Sequence, residues 1–465
     1  MQRIGLALLL LAIASGPALA APVALSADGE GSALIAPFWS VRGGHDALLS
    51  LRNNSDAATS AKLRLVEADG VEVLSLNVYL DAQDTWVAAL TNAGTDQAPE
   101  DELITADATC ILPAPTRDDA GVARIELPPL VHGHGYLEII EMGRADFGLS
   151  IATTSWPDCD ELAERFETGD WRDDPSVGLI PAIGWLSATV QIINVGVGGM
   201  VSPEVAALRG FSDIVQHTSP DSEVPNLSTA HTADTDAGRT ESRVCDGEGC
   251  SVYAWNLPVE AVASVLAAQR FEASYSANPA IRGKAAFVYT RPLARFEGEA
   301  FGIDGNALLA ARGRDAELRA GYDVCVPVPP VVGRPICGTR FIQGRRTRPV
   351  DVVHLGEPVT GAPERSLLGT LDALILETSI TGIGVDDLIA GEFELLISQN
   401  TEGDDRVLTS ADGQIVRGDP VVGFAVQQFS NGRLELPVGD PVLSNYRVVE
   451  PLIHLSIEPS GTEEE

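Results

Sequence analysis

From Asp46 to Leu90 apolar and polar residues alternate in short runs separated by turn residues, the signature of consecutive half-buried β-strands. The stretch reads DALLSLRNN, SDAATSAKLRLVEADG and VEVLSLNVYLDAQDTWVAAL. Val71, Val73, Leu74, Leu76, Val78 and Leu80 crowd one run, bounded by Asp69-Gly70 and by Asp81 to Asp84. Ala33 to Val41 predicts a preceding strand that stops at Arg42-Gly43-Gly44, and Val122 to Leu127, Tyr136 to Glu141 and Gly148 to Thr154 predict further ones. Short strands joined by such turns predict an antiparallel β-sandwich over residues 21–157.

Residues 158–176, DCDELAERFETGDWRDDPS, read as an acidic linker with one helical turn at Glu161 to Glu167. A second β-domain is predicted over 177–300. Its start, Leu179-Ile180-Pro181 leading to Ile193-Asn194, weakly echoes Leu34-Ile35-Ala36-Pro37 leading to Arg52-Asn53, as two sandwiches of one ancestry would. Residues 212–248 form a long polar loop of the kind that is either functional or mobile. A helix is predicted over 257–270, with Asn256 as N-cap, Pro258 in its first turn and Val259, Val262, Val265 and Leu266 at helical spacing. Beyond it, residues 301–458 carry strand candidates that form a third domain or complete the second, and 459–465 form a disordered acidic tail. The fold class is therefore mainly β: two or three antiparallel sandwich (Ig-like) domains with a few short helices.

The first 20 residues change the picture of location. Arg3, an apolar run from Ile4 to Ile13 and Ala18-Leu19-Ala20 predict a signal peptide cut before Ala21. The run is too short to span a bilayer, and no later segment is long and apolar enough to do so. The chain carries 31 basic and 66 acidic residues, a net charge of −35, and loss of Arg3 makes the mature chain one unit more negative. Nucleic acid and anionic lipid, which are bound by clustered cations, are poor partners for such a field. Six cysteines in an exported chain predict disulfides, and proximity suggests Cys110–Cys159, Cys245–Cys250 and Cys325–Cys337. Zinc at Cys245 and Cys250 is the alternative, but no second Cys or His pair stands beside them.

Three stretches, DALLSLRNNS with the later LNVYLDAQDTW, then VQIINVGVGG, then VEAVASVLAAQRFEASY, carry a likeness across roughly residues 30 to 300. Together they resemble an uncharacterised family of exported bacterial β-rich proteins with no established activity. The resemblance implies an exported, sheet-rich protein and transfers no catalytic site.

Candidate chemistry is sparse. His132-Gly133-His134 would put two imidazoles on one face if it were a strand, as a transition-metal site needs; as a turn after Pro128-Pro129 it would not. Asp234, Asp236 and the downstream Glu241 loosely match a calcium loop, with a glycine where a third ligand belongs. Calcium is the ion this acidic pattern admits, and beyond it and the transition metal considered for His132 and His134 no cofactor is expected. There is no Gly-x-Ser-x-Gly and no His-Glu-x-x-His. The adjacent acids Asp386-Asp387 and Asp404-Asp405 read as solvated turns rather than a glycosidase pair. Arg340, Arg345, Arg346 and Arg348 form the one basic run. Of the six tryptophans, Trp171 stands apart in the acidic linker as the one outside predicted strands. The function expected is an exported, non-enzymatic interaction or structural protein of the cell surface, periplasm or extracellular space, with an unknown protein or surface partner. The alternative is a secreted hydrolase with a site assembled from distant loops.

Overall fold

A computed structural model describes residues 21–146, 153–232, 238–245, 249–276, 283–296, 308–313, 317–319, 322–326, 336–340, 348–356, 366–370, 373–377, 390–396, 407–434 and 442–451. The predicted leader and acidic tail lie outside them. The chain is mainly β, built from antiparallel sheets with two α-helices among the described residues.

The alternating stretch forms the strands Asp46–Asn53, Thr59–Glu67, Glu72–Leu80 and Thr85–Asn92. Two of these enter each of two sheets. One sheet runs in the order Ala24–Leu25, Ala206–Arg209, Ala33–Ser40, His134–Ala145, Thr59–Glu67, Glu72–Leu80 and Cys110–Leu112. The other runs Gly199–Val201, Leu186–Asn194, Asp46–Asn53, Thr85–Asn92, Asp101–Thr105 and Ala123–Glu126. Ala61, Leu63 and Leu65 of the first and Leu49, Leu51, Trp86, Leu90, Val190 and Ile192 of the second enter one core. Because side chains alternate along a strand, Lys62 and Arg64 face the opposite side.

The strand expected to open a second domain instead completes the first. Leu186–Asn194 pairs antiparallel with Asp46–Asn53 over Leu186↔Asn53 to Ile193↔Asp46, and Ala206–Arg209 pairs with Ala33–Ser40. The echo between Arg52-Asn53 and Ile193-Asn194 therefore belongs to two neighbouring strands of one sheet. Each asparagine fastens a strand end. Asn53 Nδ2 donates to the carbonyls of Ala57 (2.7 Å) and Asp81 (2.8 Å), and Asn194 Nδ2 donates to Gly43 O (2.9 Å).

The 158–176 segment is not a free linker. Helix Cys159–Glu167 and the 3-10 turn Asp170–Arg172 bury Leu162 and Trp171 against Tyr79 and Leu112, and the Cys110–Cys159 disulfide staples the helix to the sheet. Cys245 and Cys250 are also joined, directly opposite each other in the hairpin of Thr240–Cys245 and Cys250–Trp255, which removes the zinc alternative. Cys325 and Cys337 stand opposite each other in the register of Tyr322–Val326 with Ile336–Arg340.

The second helix is shorter than the predicted 257–270: it spans Pro258–Leu266 and has Leu257, not Asn256, at its N-cap. Glu260 reaches back to accept the Leu257 N–H at 3.0 Å. After Leu266 the chain turns extended, so Ala267–Ala268 and Arg270–Ser276 are strands. Described strands from beyond residue 300 join the sheet of Lys284–Thr290, which lies between Val350–Gly356 and Val422–Leu434, with Val442–Pro451 next to the latter. Arg270–Ser276 pairs with Ala390–Leu396. The two units share a continuous core, in which Phe38 meets Phe424 edge-on at 6.2 Å. Thr290 Oγ1 donates to Pro37 O at 2.6 Å, and Tyr136 Oη donates to Pro292 O at 3.1 Å.

Candidate functional site

The outward face of the first sheet carries charged and polar residues, yet it is buried. In the Thr59–Glu67 strand every residue is inaccessible, including Lys62 and Arg64. The polar segment 217–227 covers them and turns its backbone carbonyls inward. Lys62 Nζ donates to Ser219 O (2.6 Å), with Pro220 O and Ser222 O each at 3.4 Å; Arg64 donates to Pro225 O (3.2 Å) and Ser222 O (2.7 Å); Asn77 donates to Thr218 O (2.8 Å). Burial, with the Arg64 charge nearby, pushes the Lys62 amine down to about 7.

Beside this layer Glu138 accepts from Arg295 Nη2 at 2.6 Å and from Leu227 N at 3.0 Å, while Glu72 receives Arg64 at 2.5 Å and Arg295 at 3.3 Å. Burial pushes Glu138 above the usual carboxylate range against the pull of Arg295 and Arg64. Glu141, also raised by burial, accepts from Gly184 N (2.8 Å) and Thr59 Oγ1 (3.0 Å). His217 lies 2.7 Å from Pro175 O through Nδ1 and 2.9 Å from Tyr79 Oη through Nε2. A carbonyl can only accept, so Nδ1 carries the proton and Nε2 accepts from the tyrosine. Burial lowers His217 to about 4, so it is neutral at pH 7. Lys62, Glu138, Glu141 and His217 have the shifted affinities of an active site, but each is spent on structure: Lys62 on the cover segment, Glu138 on that segment and on Arg295 of the second unit, Glu141 on the turn at Gly184, and His217 on the chain at Pro175.

Of the sequence candidates, His132-Gly133-His134 is a turn: Gly133 has φ +63° and only His134 enters a strand. The rings are 5.9 Å apart at 70°, and His134 Nδ1 lies 3.1 Å from His132 O. Glu67 locks the turn by accepting from His132 N (2.5 Å) and Gly133 N (2.9 Å). Asp234 and Asp236 lie outside the described residues, as do Asp386-Asp387, Asp404-Asp405, Arg345 and Arg346. Glu241 sits in the Thr240–Cys245 strand, its N–H bonded to Thr232 Oγ1 at 2.6 Å. Arg348 gives its carbonyl to Arg291 Nη2 at 2.7 Å. Among the described residues no group of three or more His, Cys, Asp or Glu is placed to hold a metal ion. Trp171, expected to stand apart, is 1% exposed, whereas Trp185 is 45% exposed.

Two features escaped the sequence reading. His231 Nδ1 and Asp213 Oδ1 meet at 2.5 Å near the surface, across a parallel bridge that joins Ser212 to His231. No spacing motif marks a contact between residues 18 apart in a polar loop. The other is a groove of about 340 Å³ lined by Gly29, Ala188, Thr189, Ser202, Pro203, Glu204, Val205, Val449 and Pro451. Ala188 and Thr189 come from Leu186–Asn194, and Val449 and Pro451 from Val442–Pro451. Arg447 of that strand lies over Gly199, leaving no space for a Cβ there, and donates to Gln428 Oε1 at 2.7 Å. The groove thus lies where the last described strand passes the Gly199–Val201 edge of the second sheet. Its lining is apolar and small-polar, with one carboxylate.

Compared with models of protein families, with curated proteins and with solved structures, the chain matches none.

Proposed function

We propose that this is an exported, non-enzymatic interaction protein that takes a partner polypeptide at the groove beside the Val442–Pro451 strand. One observation carries the reading: the groove has a mixed apolar and small-polar lining beside a strand that ends its sheet among the described residues, and the shifted ionisable groups are gathered elsewhere as structural fasteners. A pocket with convergent acid, base and nucleophile would speak for chemistry; an open groove of mixed lining between two sheets speaks for recognition. The two disulfides suit an oxidising compartment, and among the described residues no helix is long and apolar enough to cross a membrane. With the leader-like first 20 residues and the likeness to exported β-rich proteins, these support work at the cell surface, in the periplasm or outside the cell.

The second reading, a secreted hydrolase, draws on the His231–Asp213 contact, in which a carboxylate orients an imidazole. A photo-cross-linking side chain at Thr189, used on the exported fraction of the native cell, separates the two. The interaction reading expects defined adducts at Thr189 and no turnover of ester, peptide or glycoside substrates. Turnover abolished by His231→Ala would replace it with the hydrolase.

A further inference from the structure

Resting on the groove as the interaction site, we infer that what it takes from the partner polypeptide is a lysine side chain, the aliphatic stem lying along the apolar walls and the ammonium held at the rim by Glu204. The lining divides by exposure. Ala188, Val205 and Val449 are half-buried and pack on the shared core, and Pro203 is buried, so these residues make the floor and walls. Thr189, Ser202 and Glu204 are exposed, the last two on either side of Pro203, and make an oxygen-bearing rim. A lysine carries the same gradient: four methylenes that bury against apolar surface and a terminal ammonium that stays near water. Its three N–H donors and lack of acceptors match a rim of two hydroxyls and one carboxylate. Arginine's planar fork is built for one bidentate partner rather than for acceptors spread over three residues. At about 340 Å³ the groove is at the small end of the roughly 300–1,000 Å³ of ligand sites, room for one long side chain and the backbone that carries it.

Charge around the groove points the same way. Gly29 of the lining stands between Asp28 and Glu30, and these two acids hold Arg209 at 2.6 and 3.4 Å. Arg447, on the Val442–Pro451 strand, donates to Gln428 Oε1 at 2.7 Å. Both flanking arginines are thus engaged by other groups than Glu204. The chain as a whole carries −35. A carboxylate or phosphate on the partner meets repulsion here at every distance, whereas an ammonium is steered in and paired. A wholly apolar side chain would cover Glu204 without pairing it, at a desolvation cost.

The test uses the full chain and acetyl-lysine methylamide, acetylated at the α-nitrogen so that its side-chain ammonium is free, titrated by saturation-transfer difference NMR. We expect saturable transfer, greatest on the side-chain methylenes, that weakens with salt and is absent for the norleucine and glutamate counterparts. Glu204→Gln should weaken binding about three- to fivefold, and Thr189→Trp, which fills the groove, should abolish it. Asp119→Asn removes the same charge at an exposed turn elsewhere and should leave affinity within about 1.5-fold. The inference is overturned if Asp119→Asn weakens binding as much as Glu204→Gln, for the ammonium then only decorates an acidic surface. It is overturned equally if the norleucine counterpart binds as well as lysine or if Thr189→Trp binds unchanged. Tighter binding of the arginine counterpart, or of free 1,5-diaminopentane, would overturn the choice of a lysine on a polypeptide. Adducts formed by a native partner at Thr189, with no affinity for the lysine probe, would sink this assignment and leave the interaction reading standing.

Discussion

Lys62 shows how one residue can look catalytic and be structural. A buried amine with a lowered proton affinity is what a Schiff-base or general-base lysine requires. Here three carbonyls of the cover segment surround the ammonium, the closest at 2.6 Å, and the strand around it is closed to solvent. The groups facing it are Arg64 on its own strand, Glu72 on the neighbouring strand and Asp221 on the cover segment. The pH dependence follows from the shift. The folded chain releases the Lys62 proton near 7, whereas the unfolded chain keeps it to the ordinary lysine value of 10.5. Within that window the unfolded state binds more protons, so stability rises with pH; as pH falls through about 7 this contribution is lost. We predict that the urea midpoint climbs between about pH 7.5 and about pH 9.5, and that Lys62→Met removes most of this contribution to the climb. An unchanged slope in the variant would assign the effect to other groups.

At the scale of elements, the legible parts were those whose pattern is local. Strands from Asp46 to Asn92 were readable because alternation and turns rich in Asn and Asp lie within a few residues of one another. Strand partners were not readable. Nothing in Leu186–Asn194 says that it joins Asp46–Asn53 rather than founding a new sheet, so the boundary expected near residue 177 fell inside the first sandwich. Trp171 was misread because eight acids in its 158–176 surroundings outweigh one ring, although that ring stacks on Tyr79 with centroids 6.1 Å apart. The groove was invisible because separated stretches of chain supply its walls. The Cys110–Cys159 pairing was legible from proximity, and its separation of 49 residues sets its effect. Replacing both cysteines by alanine should lower unfolding free energy by about 2–4 kcal/mol. The loss should begin at the Cys159–Glu167 helix, visible as earlier exposure of Trp171 fluorescence in urea. Coincident transitions by fluorescence and circular dichroism would show instead that the helix docks without its staple.

For the whole molecule, charge and shared packing act in opposite directions. A net charge of −35 repels itself in the compact state, and only part of it is held in ion pairs such as Arg42–Asp101, which is buried and bidentate at 2.5 and 2.8 Å. Raising sodium chloride from about 0.05 M to about 0.5 M should therefore raise Tm, because screening relieves surface repulsion more than it weakens buried pairs. A fall in Tm would mean that surface pairs dominate.

The return of Ala206–Arg209 to the first sheet, between Ala24–Leu25 and Ala33–Ser40, also sets a timetable for synthesis. Ala33–Ser40 receives one neighbour when His134–Ala145 has been made, but its other side stays open until Ala206–Arg209 appears, and Ala24–Leu25 has no strand partner before then. Lys284–Thr290 waits longer, for Val350–Gly356 and then Val422–Leu434. A chain lengthening from its N-terminus thus carries an apolar, half-paired strand through much of its growth, and that strand is the place where a chaperone that holds nascent chains would find its grip.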